Sequence, residues 1–394
     1  MADRRPAVIG GKPAFPVPLP MLKPNLPPYS RVAEIFSDIL SSGSITNGRY
    51  VKEFEQKVGD YLKVDHCVAV SSCTAGMMLL LKAAQLSGEV VVPSFTFTAT
   101  VDAVLWAGLV PVFADCRCDT LNVDPESVQR VISPHTVAIL ATHVFGNPAD
   151  VEALEEIARS RGIKLFFDAA HAFGALRKGR PIGSFGDAEV FSFSPTKLLI
   201  AAEGGIVVTN DPVLASHVRW GRNYGNPGDY DCRLLGLSAR MSELHAALAL
   251  AGLEGLPERV AQRNHLASLY RERIGQLPGI SCQSVRPDDR STYKDFTIAA
   301  DEEEFGVSRD LLAVALEAEN VATRKYFFPP VHEQRFVKSY PHRAQELEVT
   351  EAVSRRVLSL PIYSLLSEEE LEKICEAVTQ VHRHAAAVRS ACAS

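Results

Sequence analysis

Three short polar clusters, each directly behind an apolar run, hold the side chains best suited to chemistry. Ser71-Ser72-Cys73-Thr74-Ala75-Gly76 follows HCVAV. Asp168 ends IKLFFD and precedes Ala169-Ala170-His171, and Ser192 and Lys197 lie in FSFSPTKLLIAAEGG. In an open parallel sheet, ligands bind beyond the carboxyl ends of the strands, so residues at such positions face a common crevice. Small residues opening a helix expose backbone amides that suit a phosphate. A carboxylate behind an apolar strand can pair with a protonated ring nitrogen, and a lysine amine can condense with a carbonyl. Taken singly, each has an ordinary reading: a helix cap, an Asp closing a turn, a solvated lysine. Together they supply an anion seat, a partner for a pyridinium nitrogen and an amine for a Schiff base, which pyridoxal 5'-phosphate requires.

Other chemistries lose support. The sequence contains no GxxxxGK[ST], no GxGxxG behind a strand, no HExxH and no GxSxG, which argues against nucleotide hydrolysis, Rossmann hydride transfer, zincin and lipase readings. No metal site is expected. Lys and Arg total 41 against 47 Asp and Glu, a net charge of -6 without a basic stripe, so neither nucleic acid nor an anionic membrane is an expected partner. The eight cysteines are irregularly spaced, with Cys116 and Cys118 the only close pair, and read as reduced thiols of a cytoplasmic protein. No apolar h-region follows the first arginines, and no apolar run approaches the roughly 18 residues of a membrane span.

The elements that must position these residues follow from periodicity. Between about 66 and 210, seven runs rich in β-branched residues (66–72, 89–95, 110–115, 136–144, 163–169, 189–194 and 205–210) alternate with helical stretches. This predicts an α/β domain, a mostly parallel seven-stranded sheet with helices on both faces. Asp124-Pro125-Glu126 predicts a helix start. After 236–256 the texture changes to a smaller C-terminal α+β domain, with Ser367 and Glu370 forming a capping box for a closing helix and the tail AAAVRSACAS expected to fray. Eight of the 24 prolines fall in the first 28 residues, which predicts an extended arm. The expected organisation is an arm over 1–34, a large cofactor domain over 35–255 and a small domain over 256–394.

At this point the residues carry a resemblance. FDAAHAFGA, FSFSPTKLLIAAEGGIVVTN, VPSFTFTAT, THVFGNPADVEAL and GLSARMSELHAA, in that family's order, resemble the DegT/DnrJ/EryC1/StrS family of pyridoxal-phosphate-dependent sugar aminotransferases of fold type I. YFFPPVHEQ and LSLPIYSLLSEEELEKI extend the similarity toward the C-terminus. The resemblance implies that Lys197 is the Schiff-base lysine and proton shuttle, with a lowered pKa, and that Asp168 pairs with the ring nitrogen. It places His171 at a Gln-or-His position near the ring, Ser192, Thr74 and Ala75 on the phosphate, Phe97 on a ring face, and Glu203-Gly204-Gly205 in a structural turn. Cys73 replaces the usual Gly, Ser194 stands where many members have His, and Ser238 replaces an Asn that in the family often reaches the partner subunit's phosphate.

Substrate contacts are expected from Arg222, Tyr224, Lys294 and Arg324, with Lys325 and Tyr293 as further candidates, and from a loop over 224–231. The implied activity is transfer of an amino group from L-glutamate or L-glutamine, through pyridoxamine 5'-phosphate, to a nucleotide-linked 3- or 4-keto-6-deoxyhexose in amino-sugar or antibiotic biosynthesis. A homodimer with shared active sites is expected. A keto-cyclitol of aminoglycoside biosynthesis is an alternative acceptor, and a non-catalytic sensor or scaffold a weaker alternative. Sugar dehydratases among the relatives typically carry histidine in place of the lysine, so Lys197 argues against that route.

Overall fold

The computed structural model of the chain describes residues 4–392. Its strands, in chain order, are β1 (His66–Val70), β2 (Glu89–Pro93), β3 (Val110–Ala114), β4 (Thr136–Thr142) and β5 (Lys164–Asp168), then the two-residue pair β6 (Leu176–Arg177) and β7 (Arg180–Pro181), then β8 (Ala188–Ser192) and β9 (Gly205–Thr209). Five more follow: β10 (Ile280–Cys282), β11 (Asp289–Arg290), β12 (Phe296–Ala300), β13 (Arg343–Ala344) and β14 (Val357–Leu360). All seven expected runs enter one sheet, joined at its edge by the two-residue β13, in the order β1-β9-β8-β5-β4-β2-β3-β13. β13 pairs with β3 through a segment that periodicity could not flag, where Arg343 ion-pairs with Glu89 and donates to the Val131 carbonyl.

Only β9 runs antiparallel to its neighbours. The helical crossovers elsewhere make the remaining pairings parallel, whereas β8 returns to β9 through the short loop 193–204. That reversal places Lys197 at the carboxyl edge of the sheet, beside the ends of β1, β2, β4 and β5. Strand residues alternate between two apolar layers: Ile139, Leu165 and Phe167 face one core, while Leu140, Phe166 and Val190 face the other. Each fully buried side chain of this kind contributes about 1.5–3 kcal/mol.

Local signals behave as expected at several ends. Asp124 accepts from the amides of Glu126 and Ser127, and the Ser367–Glu370 capping box is formed. The helix Arg49–Leu62 has no side-chain cap of its own; the buried Glu243 accepts from Gly48, Tyr50 and Val51 instead, a carboxylate at the positive end of a helix. The tail departs from expectation, since Ala385–Cys392 is helical with Val388 fully buried. Val388 anchors it, with Ala385 and Cys392 partly buried beside it, while Ala386, Ala387 and Ser390 stay exposed.

A second core gathers β12, β14, the helix Glu368–Arg383 and the N-terminal arm, whose Phe15 and Leu19 are buried there. The helix Leu256–Ile274 is shared: Leu256 and Val260 belong to the large-sheet core, Leu266 and Tyr270 to the second. Glu319, with its side chain wholly buried, fastens the arm by accepting from Arg4 Nη2 at 2.8 Å and from the amides of Ala7 and Ala14 at 2.8 and 2.7 Å. Asn320 and Val321 continue the attachment through Phe15 and Leu19. Removing the carboxylate strands several buried donors, each costing about 1–3 kcal/mol. Glu319→Ala is therefore expected to lower stability by roughly 2–4 kcal/mol and to open the arm to thermolysin cleavage before Val8 or Ile9, which pack against the second core, measured by denaturant unfolding and limited proteolysis.

Candidate active site

A cavity of 180 Å³ opens at the carboxyl edge of the sheet, and Thr74, Phe97, Asp168, His171, Ser192 and Lys197 all line it. Each is delivered by a chain reversal. Thr74 opens the helix Cys73–Ala83, Phe97 precedes the helix Thr98–Trp106, Asp168 ends β5, Ser192 ends β8, and Lys197 follows in the loop to β9. That loop is closed by Phe193 N–H to the Gly204 carbonyl and Ala201 N–H to the Phe193 carbonyl. Gly205 then lies so near the Cys73 turn that a Cβ would sit 2.6 Å from the Cys73 nitrogen, so glycine is what allows the lysine loop and the phosphate-type turn to meet.

Asp168 is buried. Its Oδ2 accepts from Thr100 Oγ1 at 2.7 Å and its Oδ1 from the Ala170 amide at 3.0 Å. Lys197 Nζ has no hydrogen-bond or ion-pair partner among the described residues. Burial, and after it the charge of Lys294, brings its amine down to about 8, against the opposing pull of Cys73, Asp295 and Asp168. His171 is held well below its ordinary range by burial and by the charges of Lys197 and Lys294, so the ring is neutral. Its Nδ1 is buried without a partner, which marks a polar atom awaiting a ligand. Burial pushes the Cys73 thiol upward, so it stays a neutral SH, with the Val190 carbonyl as partner, rather than a nucleophile.

These residues fit pyridoxal 5'-phosphate: hydroxyls and a helix start suited to the phosphate, a carboxylate suited to the ring nitrogen, an amine of lowered basicity suited to the carbonyl, and an orphaned imidazole atom on the wall.

Other sequence candidates stand elsewhere. The Ala75 amide donates to Ser72 Oγ at 3.1 Å, so the hydroxyl of Ser72, which does line the cavity, occupies the donor that the resemblance assigns to phosphate. Ser238 is exposed and pairs by backbone with Asn223. Arg222 is not on the cavity wall: it is buried, bound to Glu55 and the Ala69 carbonyl, because a buried guanidinium requires such partners. Tyr224 is exposed, with Arg240 over its ring. Lys294 is buried, paired with Asp295 at 2.9 Å and 5.5 Å from the Tyr326 ring centroid, and Tyr293 is buried beside it. Arg324 and Lys325 border a separate open groove of 480 Å³ with Pro18 and Asn320.

Ser72, singled out only as part of its turn, lines the cavity; the sequence reading missed Thr96, Thr142 and Phe327, which also line it, and Thr100 behind it. The signal was present for Thr142, the last residue of β4, because the strand-end rule that found Asp168 applies to it equally. Phe145, at φ 59, stacks between His171 and Phe327 with near-parallel rings. Nothing in its local sequence announces that role.

Comparison with known proteins bears on this arrangement. The model of the DegT/DnrJ/EryC1/StrS aminotransferase family matches residues 30–379. The spore coat polysaccharide biosynthesis protein SpsC of Bacillus subtilis (strain 168) is 32% identical over 361 residues, 88% of this chain and 92% of that protein. A dTDP-4-amino-4,6-dideoxy-D-glucose transaminase of Escherichia coli is 31% identical over 361 residues, 90% of this chain and 96% of that protein. The crystal structure of DesI in the presence of its TDP-sugar product superposes with a TM-score of 0.90 at 39% identity, covering 98% of each chain.

In the cofactor-free, full-length chain, competitive amine labelling of Lys197 is expected to reach its midpoint near pH 8, about two pH units below exposed lysines. Lys294→Met removes a nearby positive charge and should move that midpoint upward. A midpoint with the surface lysines would overturn the assignment of the amine's environment.

Proposed function

The chain belongs to the DegT/DnrJ/EryC1/StrS aminotransferase family, and within that pyridoxal-phosphate-dependent chemistry we propose that it aminates a nucleotide-linked 4-keto-6-deoxyhexose, with L-glutamate or L-glutamine as donor. The observation that carries this reading is the convergence of Lys197, Asp168, His171 and Ser192 on one cavity. The choice of a 4-keto acceptor is supported by the E. coli transaminase, whose product name specifies a 4-amino-4,6-dideoxy sugar, and that of a thymidine-diphosphate sugar by DesI.

When bound, pyridoxal phosphate supplies an exchangeable carbonyl carbon and a ring that accepts the electron pair released when a bond to Cα breaks. Ser192, Thr74 and the start of the helix Cys73–Ala83 hold the phosphate through hydroxyls and free amides. Asp168 pairs with the ring nitrogen through its carboxylate. Lys197 Nζ, neutral in about half the molecules near pH 8, would take the α-proton of the amino donor and deliver it to the cofactor's former carbonyl carbon, and in the second half-reaction would carry a proton from that carbon to the sugar carbon that gains nitrogen. His171, a neutral imidazole on the cavity wall, would stand beside the ring and add no competing charge. Phe97 and Phe327 complete an apolar wall that excludes water and strengthens these electrostatic contacts.

The mouth of the cavity carries the half-exposed Phe97, and the exposed Tyr224, Tyr230 and Leu235 lie in the loop leading to Ser238. A second copy of the chain would cover such aromatic surface, and the reading includes a homodimer in which Ser238 approaches the partner's phosphate. No helix among the described residues is long and apolar enough to cross a membrane.

Lys197→Ala should retain the fold by circular dichroism yet lose the visible band acquired on mixing with pyridoxal phosphate, with turnover falling roughly a thousand-fold or more. In a spectrophotometric screen of the pyridoxamine form against keto-sugars and keto-cyclitols, dTDP-4-keto-6-deoxyglucose should discharge it fastest. Preference for a cyclitol would overturn the acceptor assignment, and normal turnover by Lys197→Ala would overturn the lysine's role.

A further inference from the structure

Behind the cavity, three threonine hydroxyls lie in series. Thr142 Oγ1 and Thr96 Oγ1 are 3.0 Å apart, Thr96 Oγ1 and Thr100 Oγ1 are 2.9 Å apart, and Thr100 Oγ1 donates to Asp168 Oδ2 at 2.7 Å. All three threonines are buried, and they come from three different places: the end of β4, the turn after β2, and the helix Thr98–Trp106. Thr142 is also the cross-strand neighbour of Asp168. The hydroxyls therefore run from one strand end, around the back of the pocket, to the carboxylate on the adjacent strand.

Counting protons fixes the direction of this chain. A hydroxyl has one hydrogen and two lone pairs, and an ionised carboxylate has nothing to donate. Thr100 must give its hydrogen to Asp168, so it can only accept from Thr96; Thr96, having given its hydrogen to Thr100, can only accept from Thr142. Every hydrogen in the series points toward Asp168, and the Ala170 amide points at the carboxylate's other oxygen. Aligned hydroxyl dipoles in a low-dielectric interior reinforce one another. The ionisable groups that line the cavity with Asp168 are Lys197, His171, Cys73 and the exposed Glu203; the thiol and the imidazole are neutral, which leaves the hydroxyl series and the Ala170 amide as the uncharged supports of the anion.

We propose that Thr142, Thr96 and Thr100 are positioning residues, a one-way hydroxyl chain that keeps Asp168 ionised and its carboxylate oriented toward the cofactor's ring nitrogen. The proposal rests on the reading that Asp168 meets that nitrogen. A protonated Asp168 would be a weaker acceptor for both Thr100 and the Ala170 amide, so these hydrogen bonds favour the ionised form and oppose transfer of the ring proton to the carboxylate. The ring thereby stays protonated and able to accept electrons.

The test is the ¹⁵N resonance of ring-labelled pyridoxal phosphate bound to the full-length chain. Thr100→Val keeps the shape but removes the donor, and should move the resonance toward the unprotonated position and lower kcat by roughly 10- to 100-fold at little change in KM, the size of one charge-assisted hydrogen bond. Thr96→Val should move it less and Thr142→Val least, while Thr100→Ser, which restores the hydroxyl without the methyl, should behave as the parent chain. Thr98→Val, on the same helix and bonded to Asp102 rather than Asp168, serves as the unmoved control. If Asp168→Ala leaves the resonance unchanged, the pairing of Asp168 with the ring nitrogen fails. If Asp168→Ala shifts it but Thr100→Val and Thr96→Val do not, or if Thr100→Ser is as impaired as Thr100→Val, the hydroxyl chain is overturned.

Discussion

A carboxylate buried at the end of a central strand, without an ion-pair partner among the described residues, is the constraint on which the rest of this site depends. Asp168 is 4% exposed, and an uncompensated charge at such a depth costs far more than a hydrogen bond returns. The fold meets that cost by aiming donors at it from two directions, Thr100 from a helix and Ala170 from the following turn. The same dry surroundings also disfavour the charged form of Lys197, which has no such partners among the described residues, and so favour the neutral amine. One cavity thus holds a hydrogen-bonded carboxylate beside an amine of lowered basicity, and bulk water would not give the amine that property.

The second core takes part in this arrangement. Gly146 lies against the 292–294 segment so closely that a Cβ would overlap Thr292 Oγ1. Thr292 donates to the His171 carbonyl, and the Lys294 amide donates to the carbonyl of Phe145. Arg263, buried on the shared helix, holds the carbonyls of Tyr293 and Lys294 from behind. The positive charge that helps to lower the basicity of Lys197 therefore belongs to a segment clamped between the two cores, and the amine's chemistry depends on how those cores meet.

How much of this was legible in the sequence depended on the range of the interaction. The strands read correctly because both faces of the sheet are covered, so neighbours such as Ile139 and Leu140 face opposite layers and are both buried, which leaves near-continuous apolar runs in the sequence. Asp168, Ser192 and Lys197 were legible because strand ends are local features that share one edge of a parallel sheet. Arg222 and Lys294 misled for a converse reason: a basic residue looks alike in sequence whether it meets a ligand or a buried carboxylate, and here Glu55 and Asp295 supply the carboxylates. Thr96 and Thr100 lay inside a quoted motif, yet their hydroxyls acquire meaning only when Asp168, 68 residues beyond Thr100, is brought to 2.7 Å.

By itself, the sequence determined the layered α/β architecture, the edge of the sheet where the cavity opens, and the three strand-end side chains proposed for the cofactor chemistry, because apolar runs and strand-end position are properties of a few consecutive residues. Only the tertiary structure decided which bases are spent on structural ion pairs, which aromatic rings stack on His171, and how the buried carboxylate is supported. Those outcomes turn on distances between segments that are remote in the chain. Desolvation and hydrogen-bond direction exist only once those segments have met.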